Sequence, residues 1–342
     1  MTIHENISLK PYNTFGIDVK TRFFIELMTE EDVFSFFSSS RQYPKPFLFL
    51  GGGSNMLFTK DFPGTVVRLC TKGITIVEED ENSVLIRAAS GENWDGFVNF
   101  CVSKGWGGLE NLSMIPGNVG TGPIQNIGAY GVELKDKIED LEALRIETLE
   151  KVVLSKEQCE FGYRDSIFKG RERGKYFILN VRFRLSKQPE LKLDYGTIRE
   201  ELQAMNRINL TISDVREAVC SIRHRKLPDP VRIGNAGSFF KNPTVTAEQC
   251  QDIIAREPRL VHYQLADGRF KLAAAWLIDA CGWRGKSVGN AAVYEKQALV
   301  IVNKGGLNQP CTGGEVVTLA QAIQTSVYER FGIRLEHEPV VV

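Results

Sequence analysis

The sequence predicts an α+β protein of three domains, on three observations. The chain has 342 residues, enough for more than one core. A small β-α-β pattern fills roughly the first 70 residues and gives way at residue 71 to alternating strands. Helices and short strands resume near residue 213. The expected domains are therefore 1–70, with the tail from about 332 to 342 returning to it, then 71–212, then 213–331. The third is the smaller α/β unit.

The elements follow in order. Residues 9–16 are irregular, and Phe23–Leu27 reads as a strand. Thr29 is placed to cap a helix with Asp32 at its third position and Val33, Phe36 and Phe37 inward. Phe47–Leu50 is a short apolar strand that runs into Gly51-Gly-Gly-Ser-Asn55, and Val66–Leu69 closes the unit. Ile74–Glu78 and Val84–Ala88 alternate as strands. Trp94, Phe97, Val98 and Cys101 recur at i, i+3, i+4 and i+7, so an amphipathic helix ends at Gly105. Leu141–Glu147 and Tyr176–Leu185 read as strands flanking a polar insert with Phe161-Gly-Tyr-Arg-Asp-Ser166. Ser213 caps a helix carrying Val215, Val219 and Ile222, which runs into Arg223-His-Arg-Lys-Leu-Pro-Asp-Pro230. Thr246 with Gln249 forms a capping box, Leu272–Ala280 is a short helix ended by Gly282, and Gln297–Val302 is a strand. Val316, Ala320, Ile323 and Val327 form the stripe of a last helix stopped by Gly332, after which Arg334–Val342 returns as a strand.

Bulk properties exclude several functions. Forty-two basic residues balance 42 acidic ones, so no electrostatic footprint for nucleic acid or an anionic membrane exists. No apolar run approaches ~18 residues and the start lacks a basic-then-apolar signal, which predicts a soluble cytoplasmic protein. The seven cysteines are odd in number and scattered without C-x-x-C, as expected of reduced core thiols. The four histidines never fall at metal-ligand spacing, so no metal is expected. The balanced charge is compatible with a monomer.

The organising stretch is Ile115–Gly131, IPGNVGTGPIQNIGAYG, which has neither helical nor strand periodicity. Glycines permit positive φ and let backbone N–H groups approach a ligand. Asn118, Gln125, Asn126 and Tyr130 add uncharged hydrogen-bonding groups suited to a neutral ring. The Gly51–Asn55 turn after its buried strand suits a phosphate. Neither loop matches G-x-G-x-x-G or the P-loop, so the pair suggests a dinucleotide held between the first two domains by a non-Rossmann route. Among side chains with chemistry, Ser238 has no G-x-S-x-G elbow and suits a proton donor better than a hydrolytic nucleophile. Arg164 suits a carboxylate, its partner being either a surface group or a substrate.

In this combination, LGGGSN at 50–55, IPG…GPIQNIGAYG at 115–131, FGYRDS at 161–166, IRHRKLPDP at 222–230 and GNAGSFFKNP at 234–243 run in order over nearly the whole chain. Together they resemble the UDP-N-acetylenolpyruvoylglucosamine reductases of bacterial cell-wall precursor synthesis. The resemblance implies the FAD-binding fold of the vanillyl-alcohol oxidase (PCMH-type) superfamily, which agrees with the missing Rossmann motif. It implies non-covalent FAD, reduced by NADPH and reoxidised by an enolpyruvyl UDP-sugar. The implied FAD contacts are Gly51, Gly52, Gly53, Ser54, Asn55, Asn118, Gly122, Pro123, Gln125, Asn126, Gly128 and Ala129. The implied catalytic residues are Ser238 as proton donor to C2, with Arg164 and Glu338 on the substrate carboxylate. Tyr130, Tyr195, Lys226, Asn242, Tyr263 and Gln297 are implied for the nucleotide-sugar. The chain departs from the family's usual Leu-Glu-Pro-Glu-Val tail, having Leu335-Glu-His-Glu-Pro339, so Glu336 competes with Glu338 for the catalytic position. The alternatives are a flavin oxidase of the same fold and a non-catalytic nucleotide-sugar binder.

Overall fold

The computed structural model describes residues 1–306 and 308–342. Where the sequence suggests three domains, contacts divide the chain into two compact units. One comprises Met1–Ile7, Thr21–Gly52 and Pro63–Arg225; the other comprises Ser8–Lys20, Gly53–Phe62 and Lys226–Val342. The expected break before residue 213 instead falls at the end of the helix Ile212–Lys226. The cause is packing. Val215, Ala218, Val219 and Ile222 are buried with Ile198 and Leu202 of a helix, Ile198–Ala204, that sequence periodicity does not reveal.

The first unit is built on two larger sheets, with a short two-stranded pair, Gly128–Ala129 and Val132–Glu133, beside them. In the four-stranded one the order is Thr2–Ser8, Lys20–Leu27, Phe62–Leu69, Phe47–Leu50, and the last two strands are parallel. The predicted β-α-β unit is present. Its helix, Glu30–Ser38, starts with the expected capping box: the Asp32 N–H donates to Thr29 Oγ1 at 3.1 Å, and the Thr29 N–H donates to the Asp32 carboxylate at 3.3 Å. Phe36, Phe37 and Tyr43 fill the space behind it, with Phe37 meeting Phe177 edge-on at 5.3 Å. The five-stranded antiparallel sheet has the order Glu150–Ser155, Ile138–Arg145, Tyr176–Ser186, Ser83–Ala89, Ile74–Glu79. The helix Trp94–Ser103 turns Trp94, Phe97, Val98 and Cys101 into the same core, and Phe97 lies 5.0 Å from Phe183.

Two strands missing from the sequence reading, Thr2–Ser8 and Glu150–Ser155, are sheet edges. No residue of Thr2–Ser8 is buried and only Leu154 is buried in Glu150–Ser155, so neither shows an apolar alternation. The cap of the helix Ile212–Lys226 is Thr211 rather than Ser213. The Thr211 N–H donates to Asp214 at 2.9 Å and the Asp214 N–H returns to Thr211 Oγ1 at 3.3 Å, a box that Ser213 cannot make because Arg216 stands three residues after it.

Glu201 ties the two packed helices together. It accepts from Arg225 Nη1 at 2.8 Å and from Ser221 Oγ at 2.7 Å, and these partners draw its carboxyl down to about 2. Its folded pKa is depressed, so the stability it contributes is fully present above the ordinary carboxylate value of 4.5 and is lost as pH falls toward about 2. Glu201→Gln is expected to flatten the acid limb of a thermal-melting profile in that window. A profile unchanged below pH 4.5 would remove Glu201 as a source of acid sensitivity.

The second unit is built on a four-stranded antiparallel sheet ordered Asn235–Ser238, Val300–Asn303, Ala291–Val293, Ser287–Val288. A three-stranded sheet of Thr244–Val245, Phe270–Leu272 and His262–Gln264 stands beside the helix Ala247–Arg256, which begins with the predicted Thr246–Gln249 box. Leu272 belongs to a strand and not to the following helix, which is Ala274–Ala280; its N–H is engaged by Pro243 O at 2.9 Å. The long helix Gly313–Phe331 buries the predicted stripe and stops at Gly332, φ 71°. The tail is a strand only at Val340–Val341, parallel to Met56–Leu57.

Cys101, Cys159, Cys250 and Cys311 are buried, and burial pushes the Cys159 and Cys311 thiols up to about 12, so they behave as core side chains. Among the described residues no helix is long and apolar enough to cross a membrane.

Candidate functional site

In the first unit the two glycine loops meet. A Cβ on Gly52 would stand 2.9 Å from the Gly117 Cα, and one on Gly51 would stand 2.4 Å from Thr121 Cγ2. Side chains at these positions would therefore force the two backbones apart. The second loop is pinned from behind: Gly117 O accepts from the Trp94 N–H at 3.0 Å, the Val119 N–H reaches Glu92 O at 2.9 Å, and the Gly120 N–H reaches Ser90 O at 3.0 Å. Asn118 spans to Gly91 O through its Nδ2 at 2.9 Å. Gly122 and Pro123 are buried within this run, and Gln125 is half-buried.

The FGYRDS segment grips the far half of the same loop. Asn126 Nδ2 donates to Gly162 O at 2.8 Å, Ser166 Oγ donates to Ile124 O at 2.6 Å, and Arg164 Nη2 donates to Gly128 O at 2.7 Å. Two motifs read separately in the sequence are thus one construction. Asn126 is fully buried; its Nδ2 also reaches Glu133 at 3.0 Å and its Oδ1 accepts the Lys135 N–H at 3.0 Å. The side chains of Asn118 and Asn126 therefore brace the loop, leaving backbone as the surface a ligand would meet. Arg164 sits at φ 55° and its guanidinium lies 5.3 Å from the Tyr163 ring. An arginine held in the left-handed region is strained, and the network around it holds it there. Ala129, Tyr130 and Gly131 continue the loop, Tyr130 also at positive φ, with its carbonyl taken by Asn111 Nδ2 at 2.9 Å. Tyr195 is 45% exposed and sits over Gly131, whose Cβ would lie 3.2 Å from that of Tyr195.

In the second unit, Gly53 has φ 63°, and a Cβ there would fall 1.9 Å from Tyr12 O, so only glycine fits. Ser54 and Asn55 follow, half-buried, and Asn55 Nδ2 donates to Glu338 O at 3.3 Å. Ser238 ends its strand opposite Val300, after a register shift and the left-handed Gly237, φ 70°. The Glu338 N–H donates to Phe239 O at 2.9 Å, which brings the tail against the residue next to Ser238. Glu336, the competing tail glutamate, forms an exposed ion pair with Lys241 at 2.9 Å. Asn242 accepts the Ala274 N–H at 3.0 Å and so caps the helix Ala274–Ala280. Gln297 accepts the Leu299 N–H at 3.3 Å. Tyr263 is 50% exposed on the strand His262–Gln264, and Lys226 is exposed at the end of its helix.

Sequence reasoning missed four polar atoms that, among the described residues, are buried without a hydrogen-bond partner: Ser90 Oγ, Asn111 Oδ1, Arg223 Nε and His337 Nε2. Arg223 was visible as one cation of the run before Lys226; the others carry no sequence signal. His337 packs edge-on against Phe239 at 5.2 Å and meets Phe240 at 5.7 Å, and burial lowers its pKa.

Comparison with known proteins decides the family. Residues 21–146 match the model of an FAD binding domain, and residues 229–342 match the C-terminal domain of UDP-N-acetylenolpyruvoylglucosamine reductase. The chain is 48% identical over 339 residues to UDP-N-acetylenolpyruvoylglucosamine reductase of Pseudomonas aeruginosa, covering 99% of this chain and 98% of that one. This chain belongs to the UDP-N-acetylenolpyruvoylglucosamine reductases. The reductase of Chromobacterium violaceum is 47% identical, over 98% of both chains, and that of Bacteroides fragilis 45%, over 98% of this chain and 99% of its own. The crystal structure of the reductase from Thermus caldophilus superposes with a TM-score of 0.66 over 99% of each chain at 23% identity, which confirms the fold. The expected α+β, non-Rossmann FAD-binding class therefore stands. The reductase family's FAD suits the residues present: two glycine loops packed too closely to admit a Cβ at Gly51 or Gly52, and a buried guanidinium nitrogen left unpaired at Arg223.

Proposed function

We propose that this chain reduces the enolpyruvyl group of UDP-N-acetylenolpyruvoylglucosamine to give UDP-N-acetylmuramate, a peptidoglycan precursor, using NADPH and non-covalent FAD. The observation that carries the reading is near-half identity to curated reductases over 98% of both chains. FAD held by these loops would supply the hydride chemistry between NADPH and C3 of the enol ether; every other task falls to the chain. The backbone of Gly51–Asn55 and of the loop 115–131 holds the cofactor, with Asn118, Gly122, Pro123, Gln125, Asn126, Gly128 and Ala129 shaping that loop. Arg164 takes the substrate carboxylate, where charge gathers as hydride arrives at C3. Ser238 donates its proton to C2, since an enolate-like carbon is basic enough to deprotonate an alcohol. Glu338 hydrogen-bonds the same carboxylate and is favoured over Glu336 because its own N–H is held by Phe239 O, the residue next to Ser238. Lys226 meets the diphosphate, while Tyr130, Tyr195, Asn242, Tyr263 and Gln297 position the nucleotide-sugar. We take the protein to act as a cytoplasmic monomer, which sedimentation at micromolar concentration checks.

The anaerobic visible spectrum tests the reading. The purified protein is expected to be yellow, to bleach with NADPH and to recover colour on adding the enolpyruvyl UDP-sugar. A colourless protein that takes up no added FAD would overturn it. In the same assay Glu338→Gln is expected to slow the recovery at least tenfold and Glu336→Gln to leave it near wild type. The reverse order would reassign the tail residue.

A further inference from the structure

Arg223 lies in the last turn of the helix Ile212–Lys226, where compensation of the helix dipole accounts for a cation at the surface but not for one turned inward. Its Nη2 donates to Met114 O at 3.2 Å, and its side chain hydrogen-bonds Tyr130. Those two contacts stand at opposite ends of the 114–131 loop, so the guanidinium bridges the mouth of that loop. Its Nε is buried and has no hydrogen-bond partner. The carboxylate whose field reaches it, Asp95, is already engaged: Arg216 clamps it at 2.7 and 3.0 Å, and the Met114 N–H donates to it at 2.6 Å. Burial presses the Arg223 guanidinium below the ordinary arginine range. A desolvated cation with a vacant donor and no carboxylate of its own is costly unless an anion arrives with a ligand.

We propose that Arg223 receives a phosphate oxygen of a bound nucleotide's diphosphate. The chemistry is a charge-assisted N–H···O bond to an oxyanion, which the planar guanidinium can also make in forked form. The inference rests on the functional reading above, which brings two diphosphates to this protein, that of FAD and that of the UDP-sugar. Tyr130 then shares the guanidinium and fixes its plane, and Met114, itself at φ 58°, sets the loop's entry.

The test compares the wild-type enzyme with Arg223→Gln and Arg223→Lys, each stripped of flavin and checked for unchanged far-ultraviolet dichroism. Dissociation constants are measured calorimetrically for FAD and riboflavin, and for UDP and uridine. One diphosphate ligand is expected to bind roughly 10- to 100-fold more weakly to Arg223→Gln. Its phosphate-free counterpart is expected to be unaffected, and Arg223→Lys to recover part of the loss. The wild-type affinity for that ligand is expected to fall more steeply with salt than the variant's. Loss confined to FAD assigns the oxyanion to the cofactor, and loss confined to UDP assigns it to the substrate. Equal losses for a ligand and its phosphate-free counterpart, or no loss for either pair, overturn the inference while leaving the functional reading intact. A wild type that binds neither FAD nor UDP overturns both.

Discussion

Ser238→Ala is expected to leave the reduction of bound FAD by NADPH at the wild-type rate and to slow reoxidation by the enolpyruvyl sugar by about 10²- to 10⁴-fold. On the proposed mechanism the two half-reactions separate, because only the second one needs a proton at C2. The side chain is well placed for such a selective loss. Gly237 adopts the left-handed region beside it, its N–H taken by Asn235 Oδ1 at 2.9 Å, and the Phe239 N–H is held by Leu299 O at 2.7 Å. Phe239 and Phe240 are buried, so the backbone carrying Ser238 is anchored on both sides and removal of one hydroxyl leaves it in place. Stopped-flow absorbance under nitrogen reads both steps. Wild-type reoxidation in the variant would take the proton-donor role from Ser238, and equal slowing of both steps would point to general damage to the flavin site.

The second large effect concerns the Gly51–Asn55 turn, where neighbouring glycines serve different ends. Gly53 is buried, left-handed and backed by Tyr12 O, which a Cβ would approach to 1.9 Å. Overpacking together with the left-handed penalty puts the cost of Gly53→Ala at about 2–4 kcal/mol of folding stability. Gly52 is exposed and its Cβ would meet the Gly117 backbone at 2.9 Å, so Gly52→Ala displaces one glycine loop from the other. It is expected to weaken FAD binding roughly tenfold or more while moving the melting temperature less than Gly53→Ala does. Flavin retained per mole of protein and a denaturant titration read the two outcomes. Equal melting losses with full flavin content in both variants would show that the loop contact has no part in holding the cofactor.

What could be read in advance followed the physical reach of each signal. The Thr29–Asp32 box, the stripe from Val316 to Val327 and the stop at Gly332 depend on residues within a few positions of one another, and each appears where periodicity and capping place it. Thr211 took the cap from Ser213 because the reciprocal bond needs its partner three residues on, and Asp214 meets that condition for Thr211. Leu272 went to a strand because Pro243 and His262 compete for its backbone from distant parts of the chain.

By itself the sequence determined the α+β class, the absence of a Rossmann fingerprint, the two glycine loops and the ordered motifs that place the chain among the reductases. These rest on local backbone preference and on residue identity, both of which a linear chain displays. Only the tertiary structure decided that FGYRDS clasps the loop 124–128, that Asn118 and Asn126 turn inward as braces, that Glu336 is engaged by Lys241, and that Arg223 keeps a buried nitrogen without a partner. Each of these is a pairing or a desolvation between residues far apart in the chain. Whether a polar group faces water, a partner or nothing is fixed by what packs around it, and that is settled only when the chain has folded.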